Sequence, residues 1–128
     1  MSIKDGLSGY ITISKATGST TSKLNVEVKK VAIAASGSGD NTIVAAVTGK
    51  KIRVVSLFFI CGGTVNVRFE SGAGGTALTG VMPFIAQTGM VLPLNEDGWF
   101  ADTAAGSLLN MELSAAVSVA GSLSYIEV

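Results

Sequence analysis

The chain of 128 residues is the length of one domain, and its 48% hydrophobic and 14% charged content excludes the low-hydrophobicity, high-charge signature of disorder. Nine Lys and Arg balance nine Asp and Glu, so no positive field draws phosphates or anionic lipid, which argues against nucleic acid and membrane surfaces as partners. Histidine is absent; without the commonest general base and metal ligand, the expectation is a non-enzymatic protein with no cofactor.

The first forty residues have their own texture. Ser, Thr, Gly and Lys dominate 14–23, and Ser36, Gly37, Ser38 and Gly39 form a spacer. Between them Leu24, Val26 and Val28 share one parity and Val31 and Ile33 the other, which predicts a bulge near Lys29 and Lys30. Residues 1–39 therefore read as an extended N-terminal arm with one or two strands, ahead of a β-sandwich over 40–128. The first twenty residues hold no apolar run of secretory length, so synthesis and residence in cytoplasm-like conditions are expected.

Residues 51–61 predict a long strand in which Ile52, Val54, Phe58 and Ile60 share one parity, while the other turns apolar at Val55, Leu57 and Phe59. One end of it is thus expected to be covered on both faces. The single cysteine, Cys61, ends this run, so no internal disulfide forms and the thiol reads as a small core hydrophobe. Val65, Val67 and Phe69 then alternate with Asn66, Arg68 and Glu70, a half-exposed strand. With Gly62 and Gly63 between them, residues 51–70 predict a hairpin closed by a two-residue turn.

Leu109, Met111 and Leu113 alternate with Asn110, Glu112 and Ser114, and Leu123, Tyr125 and Glu127 alternate with Ser124, Ile126 and Val128. Glycine punctuation from Gly49 to Gly121 divides the chain beyond residue 40 into about eight short strands, the spacing of an antiparallel sandwich or barrel. The nearest approach to a helical stripe, Ala101 to Leu109, is interrupted by Thr103, Gly106 and Ser107, so helix is expected to be minimal.

Candidate chemistry is sparse. Glu96, Asp97 and Asp102 flank Trp99; they suit a calcium loop or an acid/base pair, but Asn95 to Gly98 reads more simply as a polar turn. Ser71 to Thr76 is glycine-rich without the lysine of a phosphate loop, and reads as a hairpin tip. Trp99 with Tyr125 is a candidate platform for sugar stacking, against the simpler reading of Trp99 as a core or interface anchor.

From residue 42 onward the chain resembles a known group. Gly49, Lys50, Lys51, Ile52, Arg53, Val54 opening a long strand, then Gly80 to Pro83, Asn95 to Phe100, Ala104 to Leu109, and the terminal Leu123, Ser124, Tyr125, Ile126, Glu127, Val128 look like small virion proteins of tailed bacteriophages. The best described of these are jelly-roll capsid decoration, or cement, proteins. The resemblance implies an all-β, antiparallel jelly-roll sandwich of about eight strands on the outer capsid surface. It implies a homotrimer, made in the host cytoplasm, with the major capsid protein as partner. The expected contact residues are Leu24, Val26 and Val28 in the arm, Leu57 and Phe59 on the long strand, and Trp99. The alternative is a jelly-roll module of a head or tail fibre that binds host glycans through Trp99 and Tyr125.

Overall fold

The computed structural model describes the backbone of residues 10–17 and 20–128 and the side chains from residue 26 onward. Strands β1 (Tyr10–Thr17) and β2 (Thr20–Glu27) pair antiparallel as a two-stranded ribbon, with Ile13 opposite Leu24. Then follow β3 (Lys29–Ala35), β4 (Gly39–Val44), β5 (Ile52–Cys61), β6 (Val65–Ser71), β7 (Thr76–Ala77), β8 (Met82–Phe84), β9 (Thr88–Leu92), β10 (Leu109–Leu113) and β11 (Val119–Glu127). Among the described residues there is no helix.

Two antiparallel sheets carry the fold. One has the order β9-β5-β11-β3; the other has the order β4-β10-β6-β7, with β8 also paired to β6. From β3 onward the chain pairs with itself in reverse order: Ala35 lies opposite Val119, Thr42 opposite Asn110, Leu57 opposite Leu92 and Val67 opposite Met82. Successive pairs in this nested series alternate between the sheets, so the two halves of the chain wrap together as one antiparallel double ribbon.

Period-two alternation turns one face of each strand inward. Phe59, Phe69, Leu109, Met111, Leu113 and Leu123 fill the space between the sheets and are all but inaccessible to solvent. Phe59 meets Phe84 edge-on with ring centres 5.3 Å apart, and Phe69 stacks on Phe100 at 5.1 Å. Each such contact adds about 0.5–1.5 kcal/mol beyond the area it buries.

Three expectations about organisation change. β5 and β6 do not form a hairpin; they belong to opposite sheets, and Gly62 and Gly63 lack the positive φ of a primed turn. Gly62 instead donates its N–H to Ser118 O at 2.7 Å, which guides the chain across the sandwich. The sandwich also begins at Lys29 rather than at residue 40, because β3 pairs with β11 from Lys29–Tyr125 to Ala35–Val119 and buries Ile33 and Ala35. Finally, the parity change near Lys29 coincides with a break at Val28 between β2 and β3, where the chain leaves the ribbon and joins the sheet, and not with a bulge.

Bulges occur elsewhere. One extra residue on β5 opposite the Ser124–Tyr125 step places both Val54 and Val55 out of solvent. The end of β5 covered on both faces is therefore the Val54–Val55 end, while the far end is open on its outer side.

Candidate functional site

The open end of β5 sets the most distinctive surface of the molecule. Outward from the four-stranded sheet, cross-strand pairing forms one row of Val91, Phe58, Ser122 and Ala32 and a second row of Gly89, Ile60, Ala120 and Ala34. Phe58 and Ile60 are each 53% exposed and Val91 is 75% exposed. None of these eight residues is charged, and the small side chains around the three large ones leave a broad apolar face. A contiguous apolar patch with its large side chains in water marks a surface suited to a macromolecular partner.

Leu57 and Phe59, the contact residues expected on this strand, lie inside the sandwich at 3% and 0% exposure. With both parities apolar beyond Val54, periodicity alone left the outward face open; the pairing of β5 with β9 and β11 turns Phe58 and Ile60 outward instead. Val26 and Val28 are half-buried. Leu24 pairs through its backbone with Ile13, and its side chain lies outside the described residues.

Residues 93–103 run along the edge of β5 beyond the point where β9 ends. Asn95 N–H donates to Val55 O at 2.8 Å, Trp99 N–H to Val54 O at 3.2 Å and Thr103 N–H to Ile52 O at 3.0 Å. Asn95 organises a tight turn, its Oδ1 accepting from Asp97 N–H at 3.0 Å and its backbone carbonyl from Gly98 N–H at 3.0 Å. Asp102 holds Arg53 in a two-point ion pair, and this hydrogen bond raises the guanidinium pKa above its ordinary value. Glu96 and Asp97 point to solvent. Glu96, Asp97 and Asp102 are thus a turn and an ion pair. Trp99 is 40% exposed with its indole Nε1–H donating to Pro93 O at 2.7 Å, whereas Tyr125 packs against the core.

The outer face of the second sheet is polar. Arg68 bridges Glu70 and Glu112, and Asn110 donates to Glu70 and Asp40. Beside them Asn66, Arg68, Val81, Glu112 and Ser114 line an open groove. Alternation in the sequence already set Asn66, Arg68 and Glu70, and Asn110 and Glu112, on the polar parity of their strands, but not their meeting across the sheet, because cross-strand partners some forty residues apart carry no local signal. Compared with known protein families, curated proteins and solved structures, the chain matches none.

Proposed function

We propose that this protein is a structural component of a virus particle, a jelly-roll capsid decoration protein that binds the outer surface of a phage head as a trimer and stabilises it. The observation that carries the reading is the apolar outer face of the four-stranded sheet, with Phe58, Ile60 and Val91 in solvent and no charge among their cross-strand neighbours. A cement protein needs complementary surfaces repeated around a shell, and weak individual contacts are then multiplied across the lattice. A chain with no histidine and no net charge suits contact better than chemistry or nucleic-acid binding.

The topology supports the jelly-roll part of this reading. The eight strands β3, β4, β5, β6, β8, β9, β10 and β11 form two sheets through nested antiparallel pairs, the arrangement of a double ribbon rolled into a sandwich. The arm upstream of β3 is the second candidate contact, reaching the major capsid protein or a neighbouring protomer by strand pairing.

The test is the copy number of this protein relative to the major capsid protein in purified particles, measured by quantitative mass spectrometry. A ratio near one per capsid subunit supports the cement reading. A few copies per hundred redirects it to a fibre or vertex module with Trp99 as a glycan-contact candidate, and absence from particles overturns both.

A further inference from the structure

Strands β1 and β2 are paired residue by residue, and strand alternation sorts the pairs onto two faces of the ribbon. By register, Ile11 with Val26 and Ile13 with Leu24 belong to one face, while Thr12 with Asn25 and Ser14 with Lys23 belong to the other. Toward the turn the apolar face gives way to Lys15 with Ser22, so its apolar part is two pairs long. A two-stranded ribbon is marginal by itself in water, and an apolar face on it calls for a covering surface.

The outer face of the four-stranded sheet has matching dimensions. Its two uncharged rows run through Phe58 and Ile60, two residues apart on β5. The two apolar pairs of the ribbon are also two residues apart, and both separations are about 7 Å along the strand. Phe58, Ile60 and Val91 stand exposed over β5 and β9, whereas β11 and β3 carry Ala120, Ser122, Ala32 and Ala34. These small residues leave a shelf two strands wide beside Phe58 and Ile60, the width of a two-stranded ribbon packed on the sheet with its strands aligned.

The link between the two surfaces decides whose sheet is covered. Glu27 is paired to Tyr10 in the ribbon and Lys29 to Tyr125 in the sheet, with Val28 alone between them. The Cα atoms of residues 27 and 29 can lie at most about 7 Å apart, while a layer packed on a sheet sits about 10 Å above it. One residue therefore cannot carry the ribbon over its own sheet. The two rows also cross β3 at Ala32 and Ala34, farther along the strand than Lys29, where the ribbon departs.

We propose that the apolar face of the β1–β2 ribbon packs on the outer face of the four-stranded sheet of a second copy of this chain, each copy giving one arm and receiving one in a closed ring. The two rows cover about 14 Å by 7 Å of sheet, which is small against the roughly 800 Å² that each partner buries in a stable complex. Arm exchange engages two such contacts per chain, one as donor and one as acceptor. This deepens the proposed function by naming what covers its apolar face, and rests on that reading for a ring of three.

The experiment uses the full chain in solution, without particles. Two double variants are made, Ile13→Ser with Leu24→Ser in the arm and Phe58→Ser with Ile60→Ser on the sheet, and their fold is checked by circular dichroism. Sedimentation velocity then follows the wild type, each variant and the mixture of the two at roughly 0.1 mM. The wild type is expected to be a trimer and each variant alone a monomer. The mixture is expected to form a one-to-one complex, because the intact arm of the sheet variant fits the intact sheet of the arm variant. A photoreactive residue in place of Ala120 gives a readout independent of those substitutions: a product of twice the chain mass, joined within residues 10–27 of the second copy. A monomeric wild type, wild-type association by either variant alone, a mixture that stays monomeric, or a cross-link to any other segment overturns the proposal. Copy number in particles tests the capsid reading separately: absence from particles leaves arm exchange standing, and a monomer present at one copy per capsid subunit leaves the capsid reading standing without arm exchange.

Discussion

Arg53 and Asp102 meet edge to edge, Nε to Oδ1 at 3.0 Å and Nη2 to Oδ2 at 3.1 Å, with each side chain about four-fifths shielded from solvent. This pair fastens residues 93–103 to β5, where three backbone hydrogen bonds continue the work that β9 does further along the strand. A bidentate, partly buried pair of this kind contributes more than a solvent-exposed one. Asp102→Ala is expected to cost about 1–2 kcal/mol and to raise amide hydrogen exchange selectively within 93–103. Unchanged exchange there shows that the backbone bonds alone hold the segment.

Backbone crowding beside β5 yields a second expectation. A Cβ built on Gly121 would stand 1.9 Å from Phe58 O, and one on Gly89 would stand 1.7 Å from Phe59 O, so β11 and β9 press on β5 from both sides. Gly121→Ala has to part the sheet, and is expected to destabilise by about 2–4 kcal/mol in chemical denaturation. A loss within experimental error shows that the sheet yields freely at that point.

Adjacent residues on β5 are expected to respond in opposite ways. Phe59→Ala empties the centre of the core and costs about 3–5 kcal/mol. Phe58→Ser combined with Ile60→Ser leaves stability within about 1 kcal/mol, and is expected to abolish attachment to capsids or self-association. Particle binding by the double variant at wild-type level removes the apolar face from the proposed function.

Truncation separates the arm from the sandwich. Deleting residues 1–27 keeps β3 and is expected to leave a folded domain with impaired attachment. Deleting residues 1–39 removes an outer strand with its buried Ile33 and Ala35, and is expected to lower the unfolding midpoint steeply. Equal midpoints for the two truncated chains argue that β3 adds nothing to the sandwich.

Alkaline pH weakens the fold in a defined direction. Burial pushes the Cys61 thiol above its ordinary value of 9.0, and the hydrogen bond from Lys29 to Glu127, reinforced by the carboxylate charge, lifts the ammonium above 10.5. Both groups hold protons more tightly folded than unfolded, so their stabilisation is complete below the ordinary values and is lost as pH rises through the raised ones. The urea midpoint is therefore expected to fall from about pH 9 upward, and Cys61→Ala is expected to flatten the first part of that fall. Native Cys61 is also expected to resist thiol reagents until the protein unfolds; rapid labelling of the folded state contradicts its burial.

Much of the strand content was legible from neighbours in the chain. Leu109, Met111 and Leu113 alternate with polar residues, and all three are core; Asn95 to Gly98 reads as a turn and is one. The orientation of β5 was not legible, since Val54 to Ile60 is apolar on both parities apart from Ser56. Nor was the crossing at Gly62–Gly63, because two glycines between strands signal a hairpin and a change of sheet alike. Ala32, Ala34 and two lysines make β3 look like arm, yet β11 draws it into the sheet through seven consecutive residue pairs.

The sequence by itself determined that this protein is an antiparallel β structure with an apolar core and no net charge, because period-two burial and turn chemistry act between residues close along the chain. Only the tertiary structure decided that Phe58 and Ile60 face solvent while Leu57 and Phe59 fill the core, and that Asp40, Glu70, Asn110 and Glu112 converge on one sheet. Those outcomes depend on which distant strands pair and in what register, and a register is settled by closing the whole double ribbon at once.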